Sequence, residues 1–211
     1  MSYIYTAIGD SLTTGFGALP GNGFVPAYRR MAEDRLRAPI YLHNLGVNGL
    51  DSEGLEQRLR YNSIFRQSIR EADLITLSIG GNDLIHAAKE IRRNPSGEAQ
   101  ILNQSLTVCK SNFGSIVRSI YDIKGSSRSP YIVRVVGLYN PYPQIREANA
   151  WVYSFNRYAA QYSNGVYGFA DIFPAFAERG RELLSLDQVH PNGRGYRVIA
   201  EQLNRLGYGL L

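Results

Sequence analysis

Five short apolar runs constrain this chain more than any other feature. They are residues 3–8 (YIYTAI), 40–45 (IYLHNL), 73–79 (DLITLSI), 131–138 (YIVRVVGL) and 166–170 (VYGFA). All are rich in β-branched or aromatic residues, and most lack clean polar alternation, as expected of strands buried on both faces. Between them lie segments with helical spacing. The clearest is Leu102, Leu106, Cys109, Phe113, Ile116 and Ile120, stepping by three and four along one face of a long helix. Ser96 is the expected N-cap of that helix, with Glu98 close behind, and Gly125 its C-terminal stop. Residues 144–163 and 192–206 also read as helices, as do 24–36 and 51–60. Strand then helix, repeated in this way, predicts an α/β fold with a parallel sheet covered on both faces. No repeat, low-complexity tract or linker divides the chain, so residues 1–211 read as a single domain.

Length and composition agree with that reading. A chain of 211 residues, 44% hydrophobic and 19% charged, can bury a substantial core and is not of disordered or fibrous type. No stretch approaches the roughly 18 uninterrupted apolar residues of a membrane span. The first residues show no basic segment followed by an apolar one, so no secretory signal is expected. The single cysteine, Cys109, fits a reducing compartment and lies on the apolar stripe of the long helix, where it reads as packing. The expected location is therefore cytoplasmic. A net charge of +5 is modest; it hints at anionic partners but equally suits an ordinary basic protein.

In an open parallel sheet, ligands bind beyond the carboxyl ends of the strands. Ser11 follows the first apolar run directly, in "GDSL" at 9–12. "NLGVNG" (44–49), "SIGGND" (78–83) and "YNPYP" (139–143) follow three others, and "LDQVHPNG" near the C-terminus sets Asp187 and His190 three residues apart. Any one of these could be a simple strand-to-helix turn. Together they assemble a serine, a histidine, a carboxylate, an asparagine amide and several glycines on one rim.

That set is what acyl transfer requires. A serine hydroxyl needs a base to take its proton, and a histidine serves. The histidine needs a partner on its other nitrogen, and Asp187 is within reach of one local turn. A developing oxyanion needs preorganised donors, which backbone N–H groups and an asparagine amide supply.

The four blocks, in this order, resemble those of the SGNH hydrolases, also called the GDSL family. The resemblance spans nearly the whole chain. It implies Ser11 as nucleophile, Gly49 as a backbone donor, Asn82 as a side-chain donor, and Asp187 and His190 as completing the triad. Ser11 N–H, Gly49 N–H and the Asn82 amide would then form the oxyanion hole. Gly46 lies in the same block as Gly49, and spacing favours Gly49 as donor. The resemblance also implies a flavodoxin-like three-layer α/β/α sandwich with a five-stranded parallel sheet. Asp10 either braces the nucleophile loop or caps a turn.

Other chemistries fit less well. No serine sits in the G-x-S-x-G of a conventional α/β-hydrolase. The loop "GFGALPG" matches neither a dinucleotide fingerprint nor a phosphate-binding loop. Three histidines, His43, His86 and His190, offer little for a metal centre, so neither metal nor cofactor is expected. His43 falls inside an expected strand and reads as structural; His86 either lines the pocket or sits on the surface. The same triad could serve a carbohydrate O-acetylesterase, a thioesterase or an acyltransferase, and a silent ligand-binding module would keep the fold alone.

Two segments bear on the substrate. In "LIHAAKEIRRNP" (84–95), Leu84, Ala87, Ala88 and Ile91 share one helical face flanked by Lys89, Arg92 and Arg93. "AYRRMAEDRLR" (27–37) repeats the mixture with Arg29, Arg30, Arg35 and Arg37. Apolar residues rimmed by arginine could seat an acyl chain and attract an anionic headgroup; equally, both could be ordinary amphipathic helices. Within the family, the compact form resembles bacterial lipase-like acylhydrolases, including the type found in spore-forming bacteria. The expected partners are a small-molecule or lipid ester and, transiently, an anionic lipid surface, with no nucleic acid.

Overall fold

The computed structural model describes residues 1–125, 129–142 and 145–211. Its centre is a five-stranded sheet built from β1 (Tyr3–Gly9), β2 (Ile40–Gly46), β3 (Leu74–Ser78), β4 (Ile132–Val136) and β5 (Tyr167–Ala170). Every pairing is parallel and the spatial order is β2-β1-β3-β4-β5. The inner strands β3 and β4 are buried at every position, which explains their largely apolar sequence; Thr76, Ser78 and Arg134, the polar residues in them, are buried too. Edge strand β2 alternates more, and Tyr41 on it is 63% exposed.

Helices cover both faces. On one side lie α3 (Ser52–Tyr61), α4 (Ser63–Glu71), α6 (Glu98–Gly125) and α7 (Arg146–Ala160), whose Leu55, Ile69, Phe113 and Phe155 form one apolar cluster with Ile75 and Val133. On the other lie α2 (Phe24–Leu36), α8 (Phe173–Arg179) and α9 (Gly193–Arg205), whose Tyr28, Phe176 and Ile199 cluster with Tyr5 and Ile132. The chain moves from β1 outward to β2 across one face, then returns past β1 to β3 across the other. Right-handed crossovers demand this change of face when the direction of travel reverses. The reversal puts a switch point at the carboxyl ends of β1 and β3, where such sheets open a crevice.

Several expected boundaries shift. Residues 51–60 and the segment after them form two helices, because Asn62 ends α3 and caps α4, its Oδ1 accepting the Ile64 and Phe65 N–H groups. Ser96 is not the cap of the long helix. It lies in a 3₁₀ turn, Pro95–Gly97, and its hydroxyl donates to Asn94 Oδ1, while α6 begins at Glu98 and ends on Gly125 itself. Of the expected helix 144–163 and the YNPYP segment, Gln144 and Pro143 lie outside the described residues.

The length of α6 also matters. Its 28 residues reach about 42 Å at 1.5 Å per residue, against about 23 Å for a seven-residue strand. The buried side chains all lie between Cys109 and Lys124, which together match the depth of the sheet. Residues 98–108 therefore stand beyond its carboxyl edge. They are preceded there by α5 (Gly81–Arg93), of which only Ala87 is buried. The two helices form an arm beside the crevice.

Candidate active site

Ser11 opens a one-turn helix, α1 (Ser11–Thr14), directly after β1. The turn into it is tight. Gly9 adopts φ +143°, and a Cβ there would lie 2.1 Å from the Ser78 carbonyl oxygen, so only glycine lets β1 pass this close to β3. Asp10 both caps and braces: its Oδ1 accepts the Leu12 N–H at 3.0 Å and the Ser78 hydroxyl at 2.8 Å. Ser78 Oγ also lies 2.8 Å from Thr13 Oγ1, which closes the network beneath the serine. Burial pushes the Asp10 carboxyl up to about 6, against the pull of these hydrogen bonds and the positive field of His190.

His190 reaches Ser11 from the far end of the chain, with Nε2 2.9 Å from Ser11 Oγ. Its Nδ1 lies 2.6 Å from Asp187 Oδ2. A carboxylate at that distance fixes the Nδ1 proton and leaves Nε2 as an acceptor facing the hydroxyl. The carboxylate is itself tied down, because Asp187 Oδ1 accepts from the Ser185 hydroxyl and from the Val189 and His190 N–H groups. Partial burial works against the charge, but these hydrogen bonds, led by that of the His190 ring, outweigh it and hold the carboxyl well below the usual range. Phe16 covers the imidazole with ring centroids 4.7 Å apart, and the Tyr196 hydroxyl anchors that loop by donating to the Phe16 carbonyl at 2.6 Å.

The two glycines of the second block are distinguished by their surroundings. Gly46 ends β2, and its N–H already donates to Asn44 Oδ1 at 3.0 Å. Gly49 sits in the following turn at φ +76°, a conformation that favours glycine, and a Cβ on it would meet open space. Neither its N–H nor that of Ser11 has an acceptor among the described residues. Asn82 lies in the first turn of α5, and its Nδ2 donates to the Leu50 carbonyl at 2.9 Å, bridging to the Gly49 turn. Ser11, Asn82 and His190 thus line one cleft; Asp187 stands behind His190, and Gly49 lies on the adjoining turn.

From these groups an apolar cleft runs along the arm. Leu84, Ile85, Ala88 and Ile91 of α5 form one wall, with Leu102 of α6 beyond them. Tyr142 and Ile145, then Ala148 and Val152 of α7, face them. The expected face is thereby corrected: Ala87 turns inward to the core and Ile85 takes its place. Lys89, Arg92 and Arg93 are exposed on the same helix. The basic stretch 27–37 is not part of this cleft. It lies on α2, which packs against the opposite face of the sheet, and its Arg29 pairs with Glu33 at 3.1 Å.

Other candidates resolve simply. His86 is half-exposed, 3.5 Å from Asp51 Oδ2, and absent from the cleft lining. His43 lies on β2, its Nδ1 buried. Cys109 is fully buried in the core, where burial pushes its thiol up. Among the described residues no three His, Cys, Asp or Glu side chains converge as a metal group, and no helix is long and apolar enough to cross a membrane. Sequence reasoning missed Ser78 and Phe16, which touch the site from a strand end and a loop whose spacing carries no signal. It named the YNP segment but not that the Tyr139 hydroxyl there donates to the Val189 carbonyl at 2.6 Å, holding the histidine loop.

Residues 7–198 match the model of the GDSL-like lipase/acylhydrolase family. The chain is 37% identical over 213 residues to the spore germination lipase LipC of Bacillus licheniformis, covering 100% of this chain and 99% of that protein. Among solved structures it is similar to the lipase Lip_vut3 from a goat rumen metagenome, with a TM-score of 0.91 and 33% identity over 98% of each chain. An acetylxylan esterase, Axe2 of Geobacillus stearothermophilus, shares the fold with a TM-score of 0.66 at 18% identity, over 96% of this chain and 93% of that one.

Proposed function

The chain belongs to the GDSL-like lipase/acylhydrolase family and is a carboxylic ester hydrolase, and from that premise we propose that Ser11, His190 and Asp187 are its catalytic triad. The oxyanion hole is made by Ser11 N–H, Gly49 N–H and the Asn82 amide. The observation that carries this reading is the unbroken hydrogen-bond chain from Ser11 Oγ through both ring nitrogens of His190 to Asp187.

The reaction follows from the geometry. Ser11 Oγ attacks the ester carbonyl carbon while His190 Nε2 accepts the hydroxyl proton. The carbonyl oxygen becomes an oxyanion facing the three donors, whose contribution grows as charge develops. Collapse of this intermediate breaks the bond to the alcohol, which leaves with the proton from His190. Water then attacks the acyl-serine, with His190 again taking and returning the proton, and the acid departs.

The acyl group occupies the cleft beside α5. Its α5 wall is aliphatic from Leu84 to Ile91, about two turns of helix, which supports an ester of a fatty acid over an acetyl ester. The relative named as a spore germination lipase supports the same class. The exposed Lys89, Arg92 and Arg93 beside the cleft favour contact with an anionic lipid surface.

The test is direct. Ser11→Ala should lower kcat on p-nitrophenyl esters by at least about 10⁴-fold, and a fluorophosphonate probe should label wild type but not the variant. Turnover within about tenfold of wild type would overturn the assignment.

A further inference from the structure

The donors on Gly49 and Asn82 belong to different elements, and no strand pairing sets their spacing, because β1 lies between β2 and β3. Contacts above the sheet must do so. They converge on Asp83, the residue after Asn82. Its Oδ2 accepts the Ser52 N–H at 3.0 Å and its Oδ1 accepts the Ser52 hydroxyl at 2.5 Å. Ser52 is the first residue of α3, where N–H groups lack partners within the helix. The cap of α3, Asp51, satisfies Gly54 instead, at 2.9 Å. Asp83 is therefore a second cap for α3, supplied from the first turn of α5, and one carboxylate serves two helix N-termini. From the other side, Asn82 Nδ2 donates to the Leu50 carbonyl at 2.9 Å. Helix α6 backs the joint: Asn112 donates to Ser52 Oγ at 3.0 Å, and the Ser105 hydroxyl donates to the Asp83 carbonyl at 3.2 Å.

We propose that Asp83 and Ser52 are positioning residues that hold the Gly49 turn and Asn82 at the spacing an oxyanion needs. The proposal rests on the oxyanion hole proposed above. Such donors work at roughly 2.7–3.1 Å from the developing charge, and a displacement of about 1 Å can cost about a hundredfold in rate. Neither residue touches substrate; each acts through the donors it holds.

Single and double variants with p-nitrophenyl butyrate test this, with melting temperatures measured alongside. Asp83→Ala should lower kcat about ten- to hundredfold with KM within about twofold, because the donors matter most in the transition state. Asp83→Asn should recover most of the loss, since its carbonyl can accept the Ser52 N–H and its amide can donate to Ser52 Oγ. On an Asn82→Ala background, Asp83→Ala should cost less than about threefold more, the signature of residues acting through one another. Where Asp83→Ala does not fold, Ser52→Ala, which keeps the backbone contact, should show the same non-additivity with a smaller loss. Fully multiplicative losses, an effect on KM alone, or Asp83→Asn as damaging as Asp83→Ala would overturn the proposal. If Asn82→Ala alone leaves kcat unchanged, the oxyanion-hole reading itself fails, a result distinct from these.

Discussion

Ser11 Oγ and His190 Nε2 meet at 2.9 Å although 179 residues separate them in sequence. The meeting is arranged by the core. β1 is an inner strand, second in the sheet and beside the switch point, so the serine emerges within its carboxyl edge, while α9 packs across α2 on one face and delivers the loop before it to that point. Tyr196 of α9 makes the link local, its hydroxyl donating to the Phe16 carbonyl at 2.6 Å and approaching the Ser11 carbonyl at 3.4 Å.

Asp187→Asn should lower kcat by about 10⁴-fold while the protein remains folded. The amide keeps an oxygen for the Ser185, Val189 and His190 donors. Its NH₂ then faces His190 Nδ1, which must accept, so Nε2 carries the proton and cannot take one from Ser11. Steady-state kinetics decide it. A loss under about tenfold would show that another group orients the imidazole.

Along α5, Asn82 to Ile91 is nine residues, about 13 Å of helix, room for about ten extended carbons at backbone bond lengths. On an ester ladder from acetyl to palmitoyl, kcat/KM should climb up to about fourfold per methylene, peak near decanoyl and then level. Ala88→Phe, which fills the middle of the cleft, should move the peak to shorter chains. Turnover of acetyl esters alone would reject the lipid-ester reading and leave the triad standing.

Asp10→Asn should stabilise the fold at neutral pH. The folded carboxyl sits near 6 against an ordinary 3.8, so the native state holds its proton more tightly than the unfolded chain. The associated stability is full below about 3.8 and is lost as pH rises through about 6, where ionisation costs on the order of 3 kcal/mol. The neutral variant escapes that cost. Its melting temperature should match wild type near pH 3.5 and exceed it at pH 8. Asp187, whose carboxyl is held low, works with the opposite sign and is common to both proteins, so the difference isolates Asp10. Equal melting temperatures at pH 8 would mean that the buried carboxylate is fully compensated by its partners.

Activity on anionic phospholipid vesicles should exceed that on neutral ones and fall as the Debye length shrinks from about 30 Å in 0.01 M salt to about 3 Å in 1 M. Replacing Lys89, Arg92 and Arg93 with glutamine should remove most of the difference. Indifference to vesicle charge would dismiss the lipid-surface contact.

The sheet and the main helices were legible because buried strands and amphipathic helices leave periodic traces. Leu102 to Ile120 marks α6 in the sequence as plainly as in the structure. Ends were harder. Ser96 has the chemistry of a cap, but the following Gly97 sits in a 3₁₀ turn and the true start falls at Glu98, a choice made by local geometry that composition does not encode. The candidate residues Ser11, Asn82, Asp187 and His190, which the structure brings together, were legible because each sits in a short block after a strand or before a helix. The supports were not. Ser78, Ser52 and Asn112 are ordinary polar residues whose partners lie 68, 31 and 60 positions away, so nothing local distinguishes them. Residues 27–37 read equally as a second rim or an ordinary amphipathic helix, and the structure shows the latter; periodicity gives the face of a helix, not the side of the sheet on which it packs.

The arm formed by α5 and the first half of α6 has one further consequence. Apart from Ala87, the side chains of α5 and of residues 98–108 lie outside the fully buried core. Substitutions there therefore spend little of the few kcal/mol by which a domain stays folded, yet they reshape a wall of the cleft. Selectivity and foldability are thus written in separate parts of the chain. A lineage carrying this fold can drift from one ester to another by rewriting the arm, while the sheet that holds Ser11 against His190 stays the same.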